Sequence, residues 1–341
     1  MKSSGEDDWL GVDVGGANIK LFAPGVGAVS RPFELWKRPA ELASALRELL
    51  ASAPASLGVA ATMTGELADC YRTKAEGVAT ICDALAEAAG ARELKVYTTR
   101  GRFVDGEQAP ACWREVAAAN WHAIASAAAQ RFTGQAGVLV DVGSTTTDVI
   151  PFSRGRVVAQ GATDRERLQT GELLYFGLGR TPICAVVDSL PYRGGMCPVA
   201  AEWFATTLDV ALLLGTPTAD CPTADGRPAT REYARERMAR MLCLDASEFT
   251  LEDARLAAQE VLQGIVQRTQ DAVQAALSRM DEEDEPVIVV SGSGANGLAE
   301  PLQAVTVGSK VVRLADSIGE AASACAAAEA VAYLAAREPS A

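Results

Sequence analysis

Apolar residues along this chain fall into two patterns that take turns. Short continuous runs ended by Gly, Asp or Ser read as buried strands, and longer stretches with apolar residues three and four positions apart read as helices. On this basis Trp9–Val14, residues 19–23 and residues 27–33 form an opening β-meander. Residues 39–53 read as a helix with Leu42, Leu46, Leu49 and Leu50 on one face, residues 56–61 as a strand, Lys74–Ala89 as a helix and residues 94–98 as a strand. Residues 112–130 are expected to be one Ala-rich helix, closed by Gly134 or Gly137.

The pattern then starts again. Gly137–Val142 and residues 148–152 read as strands around a Gly-Ser-Thr turn, and Ser153-Arg154-Gly155 as a hairpin turn into residues 156–160. Residues 164–198, rich in Gly, Pro and Arg, make a connector of a length that usually carries function. Helices are expected at residues 199–214, 231–242 and 251–279, an acidic loop at 281–285, a buried strand at 287–290 and an Ala-rich last helix at 318–337. Alternating strands and helices define an α/β fold. A strand ending in Asp, then a Gly turn and a second strand, occurs twice, at Asp13 and at Asp141, 128 residues apart. That spacing exceeds any solenoid period and fits a duplication into two related halves.

Composition narrows the functions. The 341 residues carry 31 Lys plus Arg against 44 Asp plus Glu, a formal charge of −13. This speaks against general nucleic-acid binding, which needs clustered cations. No apolar run reaches the ~18 residues of a membrane span, and the polar, acidic residues 1–8 do not resemble a secretory signal. The eight cysteines include no CxxC pair, so a disulfide scaffold and a structural zinc site are not expected, and reduced thiols in the cytoplasm are. One histidine, His122, rules out a His-rich metal site. It flanks Trp121 with Asn120 in a helical stretch, where a packing role is the expectation.

Three glycine turns carry candidate chemistry. In Gly11-Val-Asp-Val-Gly-Gly-Ala-Asn-Ile-Lys20, Asp13 ends a buried strand, the amides of Gly15 and Gly16 can hold phosphate oxygens, and Asn18 and Lys20 return on the next strand. In Val138-Leu-Val-Asp-Val-Gly-Ser-Thr-Thr-Thr-Asp-Val-Ile150, the amides and hydroxyls of Gly143, Ser144, Thr145 and Thr146 suit phosphate. Asp141 and Asp148 there can hold Mg²⁺ directly or through water. In Val287-Ile-Val-Val-Ser-Gly-Ser-Gly-Ala-Asn-Gly297, the residues Gly292, Ser293 and Gly294 precede a helix start, a setting for an anion or a nucleotide.

In this order and spacing the three turns resemble the phosphate-1, phosphate-2 and adenosine motifs of the acetate/sugar-kinase, heat-shock ATPase and actin superfamily. The resemblance implies two ribonuclease-H-like halves facing across a cleft. Residues 1–135 with the C-terminal helix (318–341) would form the first half and residues 136–317 the second. Residues 140–149 further resemble the second phosphate loop of the hydantoinase A/oxoprolinase group. Thr62-Met-Thr-Gly-Glu-Leu-Ala-Asp-Cys70, Thr73-Lys74-Ala-Glu-Gly77, Ala117-Ala-Ala-Asn-Trp121, Thr170-Gly-Glu-Leu-Leu174, Gly179-Arg-Thr-Pro182 and Ala205-Thr-Thr-Leu-Asp209 resemble one branch of it, the tetrahydromethanopterin-linked C1-transfer protein family.

That branch includes a condensing enzyme of methanofuran-type biosynthesis. The resemblance implies a small-molecule diphosphate, an (aminomethylfuran)methyl diphosphate, joined to the phenol of a (γ-glutamyl)tyramine-type acceptor with release of pyrophosphate. Mg²⁺ is the implied cofactor, ATP is not expected, and neither nucleic acid nor membrane is a partner. A homodimer is compatible with the sequence. In this frame Asp13 and Asp141 hold metal or position water, Asp148 is a third metal candidate, and Lys20, Lys74 and Arg180 are cations for the diphosphate. Glu66, Asp69 and Glu172 are candidate acid–base groups. Two other readings remain at this point: an ATP-dependent kinase or ring-opening hydrolase, and a nucleotide-binding switch without turnover.

Overall fold

The computed structural model describes residues 9–216, 221–280, 285–306 and 308–338. Residues 1–8 and most of the expected acidic loop, 281–284, lie outside them. The chain divides into two compact units: unit 1 holds residues 1–135, 152–164 and 314–341, and unit 2 holds residues 136–151 and 165–313.

Unit 1 is built on a six-stranded sheet. Its strands are β1 (Trp9–Val14), β2 (Asn18–Ala23), β3 (Gly27–Pro32), β4 (Gly58–Met63), β5 (Leu94–Tyr97) and β6 (Phe103–Asp105), in the order β3-β2-β1-β4-β5-β6. The first three strands form the antiparallel meander that the sequence predicts, whereas β1, β4 and β5 run parallel. On one face the helix Ala326–Ala335 packs against β1, β2 and β4 and beside the helix Asn120–Arg131. It lies so close that a Cβ on Gly11 would stand 1.7 Å from the Ala328 carbonyl oxygen. Only glycine on the strand and a run of alanines on the helix allow that approach. The other face buries Leu42, Leu46, Leu49, Val78, Ile81 and Leu85 from two further helices, Leu42–Leu50 and Lys74–Ala89.

Unit 2 repeats the theme. Its strands are β7 (Gly137–Val142), β8 (Thr147–Ser153), β10 (Leu173–Leu174), β13 (Val287–Ser291) and β14 (Lys310–Arg313), in the order β10-β8-β7-β13-β14; the last two residues of β8 pair with β9 (Arg156–Val157) and fall with it in unit 1. A separate hairpin joins β11 (Ser189–Tyr192) to β12 (Gly195–Pro198). The core gathers Val138, Val140, Ile288 and Val290 of the sheet with Val261, Ile265 and Val273 of the long helix Leu251–Leu277.

Four expectations change. The helix expected over 112–130 is a 3₁₀ turn, a short helix Trp113–Val116 and the helix Asn120–Arg131. The break falls at Ala118, whose φ is +51°, a left-handed backbone through which a right-handed helix cannot continue. The helix expected at 199–214 is helical only over Thr207–Leu214, where the Asp209 carboxylate accepts from the Thr206 amide and so fixes the start. The last helix is interrupted at Gly319 (φ +88°) and at Cys325. The long connector contains a helix, Asp164–Thr170, as well as β10 and the β11–β12 hairpin. Among the described residues no helix is long and apolar enough to cross a membrane.

Candidate functional site

In unit 1 the chemistry gathers at the C-terminal ends of β1 and β4. The β1–β2 turn closes by the Gly15 amide donating to the Asn18 carbonyl at 2.9 Å, and the Gly16 carbonyl accepts from the Leu35 amide at 2.9 Å. Asp13 stands in register with Lys20 on one side and Thr62 on the other, so these three side chains share one face of the sheet. Asp13 is 5% exposed. Its Oδ2 lies 4.0 Å from Lys20 Nζ, and its Oδ1 is buried without a hydrogen-bond partner. Burial holds this carboxyl above the usual carboxylate range, and Lys20 offsets part of the rise. The Thr62 hydroxyl is also buried and unpartnered. Burial raises the neighbouring Cys325 thiol, which feels both Lys20 and Asp13.

Beyond β4 the chain makes a 3₁₀ turn, Gly65–Leu67, which turns Glu66 inward. Glu66 is 1% exposed and its Oε2 has no hydrogen-bond partner. Burial pushes its pKa up to about 7, against the pull of its own amide, the Lys74 ammonium and the Ala118 amide; Asp164 adds to the rise. Lys74 opens the helix Lys74–Ala89, with Thr73 as N-cap accepting from the Glu76 amide. A cation at a helix N-terminus opposes the dipole; here Lys74 Nζ has Asp164 Oδ2 at 3.5 Å. Asp69 is exposed, facing solvent beyond this turn.

In unit 2 three segments meet around the β7–β8 turn. The Gly143 amide donates to the Thr146 carbonyl at 2.8 Å, the Leu178 amide to the Gly143 carbonyl at 3.0 Å, and the Arg180 amide to the Ser144 carbonyl at 2.7 Å. The Gly294 amide donates to the Val142 carbonyl at 2.9 Å. Gly292 (φ +86°) has no room for a side chain, since a Cβ would stand 2.4 Å from the Val142 carbonyl oxygen. Asp141 accepts from the Ser291 hydroxyl, its register partner on β13. Ser144, Thr145 and Thr146 are half-buried and Arg180 is exposed. Asp148 is buried in an ion pair with Arg167, which supplies the charge a metal ion would otherwise bring. Glu172 is buried and accepts from the Thr170 hydroxyl at 2.9 Å. That hydrogen bond ties it to its own turn.

The structure therefore brings Asp13, Gly15, Gly16, Asn18, Lys20, Glu66 and Lys74 to one end of the unit 1 sheet. It brings Asp141, Gly143, Ser144, Thr145, Thr146, Arg180, Gly292, Ser293 and Gly294 to one end of the unit 2 sheet. Among the described residues no three His, Cys, Asp or Glu side chains gather as a metal-binding group. His122 is half-buried with Nδ1 3.1 Å from the Tyr97 hydroxyl and 3.2 Å from Ser126 Oγ, and burial lowers its pKa to about 4, which keeps it a neutral packing residue. Sequence reasoning missed Thr62, Cys325 and Asp164. Thr62 stands beside Asp13 only through strand register, and Asp164 meets Lys74 only through the fold; Cys325 had no signal beyond its residue type.

Both units carry the strand order and connections of the ribonuclease-H-like fold found in actin-like ATPases and sugar kinases. A chain of the solved PilM-PilN type IV pilus biogenesis complex shares the fold, with a TM-score of 0.51 at 12% identity, over 96% of this chain and 98% of that one. Residues 58–335 match the hydantoinase/oxoprolinase family, and the chain belongs to it. Within that family the chain is 32% identical over 299 residues to the (4-{4-[2-(gamma-L-glutamylamino)ethyl]phenoxymethyl}furan-2-yl)methanamine synthase of Methanocaldococcus jannaschii, covering 86% of this chain and 88% of the relative. It is 32% identical over 172 residues to the protein of the same name from Methanococcus vannielii, covering 50% of this chain and 76% of the relative. Both relatives are named as synthases.

Proposed function

We propose that this protein is a transferase of methanofuran-type C1-carrier assembly. It joins an (aminomethylfuran)methyl diphosphate to the phenol of a (γ-glutamyl)tyramine-type acceptor. The observation that carries this reading is the 32% identity to the named synthase across 88% of its length. The sites described above suit the chemistry. The bond between the furan methylene carbon and the diphosphate oxygen breaks, and its electron pair leaves with pyrophosphate. A new bond forms from the phenol oxygen to that carbon, and the phenol proton passes to a base.

Lys20 offers a positive charge at the strand ends of unit 1, and in unit 2 the amides and hydroxyls of Ser144, Thr145 and Thr146 offer an anion cradle, the Gly143 amide being spent on the Thr146 carbonyl. Such fixed donors act most strongly where charge develops. Asp13, buried with an unpartnered Oδ1 and a raised pKa, is assigned as the base; a phenol with a pKa of about 10 needs one close by. Asp141 is the candidate magnesium ligand, since it stands at the anion cradle, where it accepts from the Ser291 hydroxyl. Mg²⁺ is commonly held by one or two carboxylates together with substrate phosphates, so Asp141 would hold it there. The ion would supply neutralisation of the leaving group.

The deciding experiment incubates the pure protein with Mg²⁺, the diphosphate and γ-glutamyltyramine, without ATP. Pyrophosphate release that needs both organic substrates, with a product mass matching the ether, is the expected result. Absence of release, or release only with ATP, overturns the reading.

A further inference from the structure

Glu66 is not used by the reaction as assigned above, yet it is the most deeply buried carboxylate at the strand ends of unit 1, at 1% exposure. Its Oε2 has no donor, because the nearby Lys74 ammonium is committed to Asp164 at 3.5 Å. The backbone around it is fixed. Helix Lys74–Ala89 presses on Glu66 so tightly that a Cβ on Gly77 would stand 2.4 Å from the Glu66 carbonyl oxygen. The backbone of Glu66 is therefore held against that helix. A buried carboxylate oxygen without a donor is costly, and a ligand that brings both a positive charge and N–H donors removes the cost.

We infer that Glu66 anchors a primary alkylammonium group of the substrates, an inference that rests on the transferase function proposed above. A primary ammonium offers three donors and a compact charge, which matches a single unpaired carboxylate oxygen. Two substrate groups have this chemistry: the aminomethyl group of the furan and the α-ammonium of the glutamyl residue. A site built to bond such a group discriminates against an analogue without it, because the carboxylate is then left unpaired.

The test compares wild type, Glu66→Gln and Glu66→Asp on three substrate pairs: the natural pair, a diphosphate with methyl in place of aminomethyl, and an acceptor with a glutaryl in place of the glutamyl group. In wild type, loss of the anchored amine should lower kcat/KM by about 100-fold, mostly through KM. In Glu66→Gln that ratio should fall to within a few-fold of unity, and Glu66→Asp should lie between. The arm that responds identifies the amine. A common loss on all three pairs in Glu66→Gln, or a wild type indifferent to both amines, overturns the inference. If wild type turns over none of the pairs, the transferase reading itself falls. The ammonium site is then decided by thermal shift at pH 8 with furan-2-ylmethanamine and γ-glutamyltyramine. A shift lost in Glu66→Gln upholds it, and equal shifts or none overturn it.

Discussion

Polar groups at the strand ends of the two units are treated in opposite ways. In unit 1 Asp13 has a lysine at 4.0 Å from one oxygen and nothing on the other, and Thr62 beside it and Glu66 beyond β4 each keep a buried oxygen without a partner. In unit 2 Asp148 is locked to Arg167, Asp141 accepts from Ser291, and the buried Thr147 hydroxyl donates to the Phe176 carbonyl at 2.9 Å. A buried polar atom left unpaired costs about 1–3 kcal/mol. Unit 1 bears that cost at the ends of two adjacent parallel strands, and in unit 2 Asp141, Asp148 and Thr147 find partners within the fold. The difference separates two jobs. Unit 1 keeps charge and protons available to a ligand, and unit 2 offers a cradle whose shape its own backbone fixes.

The comparison meets its hardest test in turnover. Asp13→Asn keeps the shape of the strand end and removes the proton acceptor. It should lower kcat by about 10²–10⁴ while leaving the urea midpoint where it was or higher. An Asp13→Asn protein with full activity removes Asp13 from the chemistry.

A second contrast uses the cations that stand beside the two aspartates. Arg167→Met leaves Asp148 charged and buried without its ion-pair partner, and should cost about 3–5 kcal/mol in urea unfolding at constant slope. Lys20→Met removes a longer contact from a side chain 29% exposed and should cost at most about 1 kcal/mol. Equal losses in the two variants would mean that Lys20 and Arg167 do the same structural work.

Much of this arrangement is legible in the chain itself. The two strand–glycine–strand hairpins stand at Asp13 and Asp141 as the apolar runs predict, because a buried strand ending in Asp-x-Gly has few alternative meanings. What the sequence does not show depends on neighbours from distant segments. Ala118 breaks its helix with a φ of +51°, and nothing local marks it. Asp148 resembles a metal ligand until the helix Asp164–Thr170 brings Arg167 against it. Glu66 and Asp69 stand three residues apart in one polar turn, and only folding buries the first and exposes the second.

Glu66 also gives unit 1 a pH signature. Its ordinary value of 4.5 rises to about 7 in the folded chain. Between those values the native state holds a proton that the unfolded chain has released, so Glu66 favours folding below about pH 4.5. That contribution is lost as pH rises through 7. Each pH step of one across that window is worth about 1.4 kcal/mol for a single proton, so the whole loss is roughly 3 kcal/mol. Glu66→Gln has no such proton. Relative to wild type it should gain stability steadily from pH 4.5 to pH 7 and level off above, read as the difference between the two urea midpoints. A difference flat with pH would place Glu66 in a solvated setting and remove the contrast between the two halves of the chain.

The smallest effect sharpens the comparison at a single hydroxyl. Thr62 and Thr147 are both fully buried. Thr147 donates to a carbonyl, and Thr62 has no partner. Valine is nearly the same shape and has no hydroxyl. In unit 2, Thr147→Val strands the Phe176 carbonyl and should cost about 1–2 kcal/mol. In unit 1, Thr62→Val removes an oxygen that is already unpaired, so stability should stay level or rise by up to about 1 kcal/mol. Any functional loss in Thr62→Val would then appear in substrate KM without a matching loss of midpoint, as expected of a group held unpaired for a ligand. A destabilised Thr62→Val protein would instead show that the hydroxyl is satisfied within the fold, and the distinction between an open and a finished strand end would shrink to the carboxylates alone.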